Sequence, residues 1–121
     1  MAIFFMNNHF FRLLALLWAA FITIMSLIPG NSAPETGLSD KWEHGICYMV
    51  LAFLFCLGWR KPFIGGLAAI MMGIIIELIQ GGMGHRTLDW LDAMANGAGA
   101  VMGIAIYLAL GRLPLLSRNR I

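Results

Sequence analysis

Charge is what this chain lacks. Only 12% of its 121 residues are Asp, Glu, Lys or Arg, against 60% that are hydrophobic, and the mean hydropathy is +0.82. Globular domains run at about 25% charged and about 45–50% apolar, so this chain has too little polar surface to cover a water-facing core. A soluble fold is excluded and lipid is the expected solvent. The basic residues exceed the acids by a net +2 but form no basic run, which removes the usual support for nucleic-acid binding. Cysteine is equally scarce. Cys47 and Cys56 lie in one apolar stretch, separated by roughly 13 Å of helical rise and on opposite faces, so they cannot bridge each other. Neither a CxxC motif nor a Cys and His zinc spacing accompanies them, and they read as packed or lipid-facing small apolar residues.

What is present in abundance is long apolar segments. Four of them, at about 10–28, 41–59, 62–80 and 89–110, match the roughly 20 helical residues that cross a hydrocarbon core. Pro29-Gly30 stops the first, Arg60-Lys61 separates the second from the third, and Pro62 suits a first helical turn. The expected architecture is an all-α integral membrane protein, a compact bundle of four transmembrane helices forming a single domain over residues 1–121. Arg12, Arg60, Lys61, Arg112, Arg118 and Arg120 all flank one set of span ends, and basic residues near short loops are retained in the cytoplasm. Both termini are therefore expected there. The other side receives Lys41, Arg86 and every acid: Glu35, Asp40, Glu43, Glu77, Asp89 and Asp92. Trp42, Trp59 and Trp90 stand at span ends, where an amphipathic ring favours the interface.

The first thirty residues also resemble a signal peptide, with one arginine, an apolar run and the small-residue segment Gly30-Asn31-Ser32-Ala33. Pro34 after that site, and an apolar run long for a signal, favour a retained span. In span four, Ala95, Gly99 and Gly103 recur every four residues, a stripe of small residues that lets a neighbouring helix approach closely. Gly65, Gly66 and Gly73 are placed to do the same on span three.

A set of polar residues at the acidic end separates this chain from a generic bundle. In span two, Asp40, Lys41, His44 and Tyr48 share one face over about two turns. Glu77 and Gln80 share another in span three, and Arg86 leads into Asp89, Asp92 and Asn96 in span four. Each has a structural explanation. Asp40 with Glu43, and Asp89 with Asp92, have capping-box spacing; His44 and Tyr48 could serve interhelical packing. Glu43 diverges from the His44 face and reads as a surface charge, and His9 and His85 as solvated. Glu77 is harder to dismiss, because a carboxylate at the centre of a span costs roughly 2.5–3.5 kcal/mol. Lys41 and Arg86 are its natural partners, either in a buried ion pair that locks the helices or in a ligand site.

The ordered pattern Asp40-Lys41-x-x-His44, Tyr48, Glu77-x-x-Gln80, then Arg86-x-x-Asp89-x-x-Asp92-x-x-x-Asn96 and the glycines after it resembles the VanZ-like membrane proteins, named for a protein associated with teicoplanin resistance. The resemblance covers nearly the whole chain. It departs from the family at Gly45, where an aromatic commonly follows the histidine, and at Gly84-His85-Arg86, where a proline is frequent. It implies a compact multi-span protein of the bacterial cytoplasmic membrane, in some members linked to tolerance of glycopeptide antibiotics.

Cations, carboxylates, amides and one imidazole beside an apolar bundle suit an amphiphile. Lys41 and Arg86 are fitted to a phosphate, pyrophosphate or carboxylate head and the bundle surface to its tail. A membrane lipid, a lipid-linked cell-wall component or a lipoglycopeptide meets that description. The substrate-binding set is Asp40, Lys41, His44, Tyr48, Glu77, Gln80, Arg86, Asp89, Asp92 and Asn96. An enzyme is the alternative, with His44 as acid or base, Glu77 or Asp92 orienting it and Arg86 stabilising negative charge. It lacks an obvious nucleophile, since Ser39 at a cap position is poorly directed towards His44. His44, Glu77, Asp89 and Asp92 are acceptable metal ligands without diagnostic spacing, so neither metal nor cofactor is expected. A third reading is a structural subunit whose Gly99 and Gly103 face docks another protein.

Overall fold

The computed structural model describes residues 8–27, 40–82 and 90–111, apart from the side chains of Asp40 and Lys41. It contains α1 (Asn8–Leu27), α2 (Asp40–Trp59), α3 (Pro62–Gly81) and α4 (Trp90–Gly111). Each is 20 to 22 residues long, or about 30 Å, the thickness of a hydrocarbon core. All four are long and apolar enough to cross a membrane. Their bounds fall within one or two residues of the four apolar segments, because the residues that end the apolar runs also end the helices. Arg60 takes a left-handed conformation (φ 57°) and Lys61 is extended, as the residue before a proline must tend to be. Pro62 then opens α3 at its first turn, where a missing N–H does no harm.

The helices run alternately up and down. Phe11 near the start of α1 and Tyr107 near the end of α4 share one buried cluster with Cys56 and Leu57, so the described chain starts and finishes at the same end of the bundle. Ile22, Tyr48, Leu51, Ala69, Ile76 and Ala100 fill the rest of the core. α2 touches all three other helices, whereas α1 and α4 hardly meet. Cys56 is buried and Cys47 half-buried, both as free thiols. Large apolar side chains cover the outside, among them Leu13, Leu16 and Ile24 on α1 and Phe63, Ile64 and Leu67 on α3. Such a surface would aggregate in water and is at rest in lipid, so the fold is that of a multi-pass membrane protein.

The closest helix pair is α2 with α4, and glycine is the reason. A Cβ on Gly99 would collide with the carbonyl of Gly45, and one on Gly103 with the carbonyl of Met49. The small-residue stripe of span four is thus filled by α2 of the same chain. The neighbouring helix that the stripe admits at Gly99 and Gly103 is therefore α2. On the outer side of the crossing the absent side chains leave an apolar groove of about 340 Å³, bordered by Trp42, Ile46, Met49, Ala98 and Met102. α3 joins through the other glycines: Gly65 lies against Phe55 and Cys56 of α2, Gly66 against Ile104 of α4, and Gly73 against both helices.

Gly97, about half a turn from Gly99 and on the opposite face of α4, has no neighbour within 4 Å of an added Cβ. Gly99→Ala should therefore lower the unfolding temperature in detergent by forcing α2 from α4. Gly97→Ala should hold or raise it, because alanine is better in a helix interior by about 0.5–1 kcal/mol. Equal behaviour of the two variants would refute the close crossing.

Candidate functional site

Polar side chains from three helices meet at the end of the bundle where α2 and α4 begin. His44 and Tyr48 stand one turn apart on α2, and Asp92 and Asn96 one turn apart on α4. α2 and α4 run in the same direction, and the Gly45–Gly99 contact draws their backbones together at this level. Nδ1 of His44 lies 3.0 Å from Oδ1 of Asn96. A carboxamide oxygen only accepts, so this imidazole nitrogen carries the proton and donates it. The opposite nitrogen, Nε2, then faces Oδ2 of Asp92 at 3.9 Å, too far for a hydrogen bond but within reach of an ion pair. The imidazole is thus held from α4 through Nδ1, and Asp92 of the same helix faces its other nitrogen.

Beneath this pair the site is closed. The side chains of His44 and Asp92 are 15% and 16% exposed, while Tyr48, Glu77, Gln80 and Asn96 are 1–2% exposed. His44 and Asp92 form the rim and Tyr48, Glu77 and Asn96 the floor. Gly73 permits α3 to close on them: a Cβ there would sit 3.2 Å from Cβ and Nδ2 of Asn96 and from the Tyr48 ring. With Oδ1 taken by His44, the Asn96 amide nitrogen is turned towards Tyr48 and α3. The Tyr48 hydroxyl is buried without a hydrogen-bond partner among the described residues, and the Glu77 carboxylate lies within electrostatic range of it.

Gln80 has a different task. Its amide nitrogen donates to the carbonyl of Ser26 at 2.6 Å. Ser26 stands in the last turn of α1, where carbonyls have no partner within the helix, so Gln80 closes the end of α1 and ties it to α3. Glu43 is half-buried rather than a fully solvated charge. Arg86 and Asp89, and the side chains of Asp40 and Lys41, all expected at this site, lie outside what the structure describes. Among those that are described, no three His, Cys, Asp or Glu side chains gather closely enough to hold a metal ion.

One polar anchor escaped the sequence reading. The indole nitrogen of Trp18 donates to the carbonyl of Cys47 at 2.9 Å, binding the middle of α1 to α2. Its signal was available: of the four tryptophans, Trp18 alone lies away from a span end, and a buried indole N–H in lipid needs an acceptor.

The His44–Asn96 bond crosses between helices. A double-mutant cycle of His44→Ala and Asn96→Ala, read by unfolding in detergent, should give a coupling of about 0.6 kcal/mol and no more than about 1.7 kcal/mol, the range of interhelical polar contacts in membranes. Strict additivity would show that the two side chains do not interact.

No family model matches the chain, and no curated protein or solved structure is significantly similar to it.

Proposed function

We propose that this end of the bundle receives the polar head of an amphiphile, a lipid-linked cell-wall precursor, a phospholipid or a lipoglycopeptide, and that the chain is a VanZ-like protein of the bacterial cytoplasmic membrane that contributes to glycopeptide tolerance. The observation that carries the reading is the graded burial of the polar set, with His44 and Asp92 part-exposed over a floor of Tyr48, Glu77 and Asn96. Polar side chains inside a membrane bundle are costly and mark functional sites by default. A purely structural network would have no need of a part-exposed rim. The ordered motif from Asp40 to Asn96 supports the family reading.

In this reading Lys41 and Arg86, the two cations that the sequence assigns to this side, hold the anionic group of the head, and the acids orient them. The tail remains against the apolar exterior. The side is extracytoplasmic and both termini are cytoplasmic, on the strength of the six basic residues at the other span ends. A second reading, catalysis on a lipid head group, draws on the same imidazole. His44 is held by Asn96 through Nδ1 and leaves Nε2 facing the carboxylate of Asp92, a placement suited to a general acid or base.

Topology is tested by reporter fusions. A fusion at Ser117 should be active only with a cytoplasmic reporter and one at Glu35 only with a periplasmic phosphatase; an active phosphatase at Ser117 would overturn the orientation. Function is tested by native mass spectrometry of lipids retained after detergent extraction. Arg86→Ala should lose a head-group-specific lipid by roughly tenfold or more, the value of a charge-assisted hydrogen bond. Glu77→Gln should stay folded and bind that lipid more weakly. Turnover of the lipid by wild type would establish the enzyme reading, and a folded Arg86→Ala protein with unchanged retention would exclude the head-group role.

A further inference from the structure

The groove on the outer side of the α2–α4 crossing begins beside the polar site. Its floor lies where side chains are missing, at Gly45 and Gly99. Ile46 and Met49 of α2 wall one side, and Ala98 and Met102 of α4 the other. Trp42, Ile46 and Met102 are 69%, 43% and 55% exposed, so the groove opens outward, towards lipid.

Helix geometry makes it continuous with the polar site. Residues three and four apart are neighbours on a helix surface, and Asp92 stands one turn before both Ala95, which lines the groove, and Asn96, which holds His44. On α2, Gly45 of the groove directly follows His44 of the rim. The part-exposed Asp92 is therefore placed at the head of the groove. Because α2 and α4 run in the same direction, both walls lead inward from the membrane boundary marked by Trp42. The lining extends from Trp42 to Met49 and from Ala95 to Met102, about 10 Å along each axis.

Size decides what fits. A volume of about 340 Å³ spread over about 10 Å has a cross-section of about 30 Å². An α-helix about 10 Å across needs about 80 Å², so a helix of a second copy or of another protein would cover the groove without entering it. A single hydrocarbon chain enters it. The thioethers of Met49 and Met102 suit such an occupant, since flexible, polarisable side chains adapt to the contour of a flexible chain.

Resting on the head-group reading above, we propose that one hydrocarbon chain of the bound amphiphile lies in this groove, running inward from the rim between Ile46 and Met102. The side chains whose absence lets α2 touch α4 then also make the seat of the tail.

The test uses the full chain in detergent micelles with phosphatidylglycerol that carries a photoactivatable diazirine midway along one acyl chain. Adducts mapped by peptide mass spectrometry should concentrate on Ile46, Met49 and Met102, although Leu16, Ile24, Phe63 and Leu67 are more exposed. Adducts spread over all four helices in proportion to exposure would overturn the seat, since a lipid shell without a site behaves in that way. Ala98→Phe places a ring in the groove from an exposed position. It should lose most of those adducts while unfolding at the wild-type temperature, and Ala98→Leu should lose a smaller share. Unchanged adducts in either folded variant would count equally against the seat. Arg86→Ala should reduce the adducts by weakening the head. Adducts unchanged in folded Arg86→Ala yet lost in Ala98→Phe would end the head-group reading and leave the groove as a chain site. A wild-type dimer in native mass spectra that Ala98→Phe dissociates would replace the chain with a second copy.

Discussion

The crossing of α2 and α4 is the constraint on which the rest of the molecule depends. Two helices of one bundle touch through backbone because Gly99 meets the Gly45 carbonyl and Gly103 the Met49 carbonyl. In lipid this contact cannot be driven by removing apolar surface from water, since the alternative surroundings are equally apolar. It rests on dispersion between closely fitted surfaces, which glycine permits, and on polar contacts that closeness brings within range. The His44–Asn96 bond is such a contact. It lies at the level of the Gly45–Gly99 approach, and a wider separation would leave the imidazole and the carboxamide apart in an apolar medium.

Around this pair the other helices are fastened by single polar contacts to backbone carbonyls. Trp18 binds the Cys47 carbonyl, Gln80 that of Ser26 and Arg12 that of Gly58. Two of the three acceptors stand in the final turn of a helix, where the carbonyl would otherwise go unsatisfied. A side chain that takes up such a group also fixes the helix end against its neighbour, and this explains how so short a chain, with small interhelical contacts on α1, keeps α1 in register. The arrangement puts most of the interhelical hydrogen bonding at the two ends and leaves the middle to Leu51, Ala52, Ala69 and Ala100.

The two ends differ in sign and in construction. One combines acids, amides and an imidazole in a closed floor with a narrow rim. The other joins α1 to the end of α2 through the bonds of Arg12 to the Gly58 carbonyl and of Arg60 to Asn8. The first lies within the bundle, with Tyr48, Glu77 and Asn96 buried beneath the part-exposed His44 and Asp92.

The sequence by itself determined the four helices, their lengths and their alternation, because charge, proline and glycine interrupt the apolar runs where a helix must end to cross a bilayer. It also marked the polar faces, since residues three or four apart on a helix share a side whatever the tertiary structure. It did not determine which of those faces meet. That Gly99 and Gly103 are filled by α2, that Asn96 holds His44, and that Gln80 closes α1 were decided by the order in which four similar helices pack. Periodicity shows which side of a helix is small or polar and is silent on the identity of its neighbour. The same holds for Arg60, whose charge was plain in the sequence, while its left-handed backbone emerged only where α2 had to turn within two residues into α3.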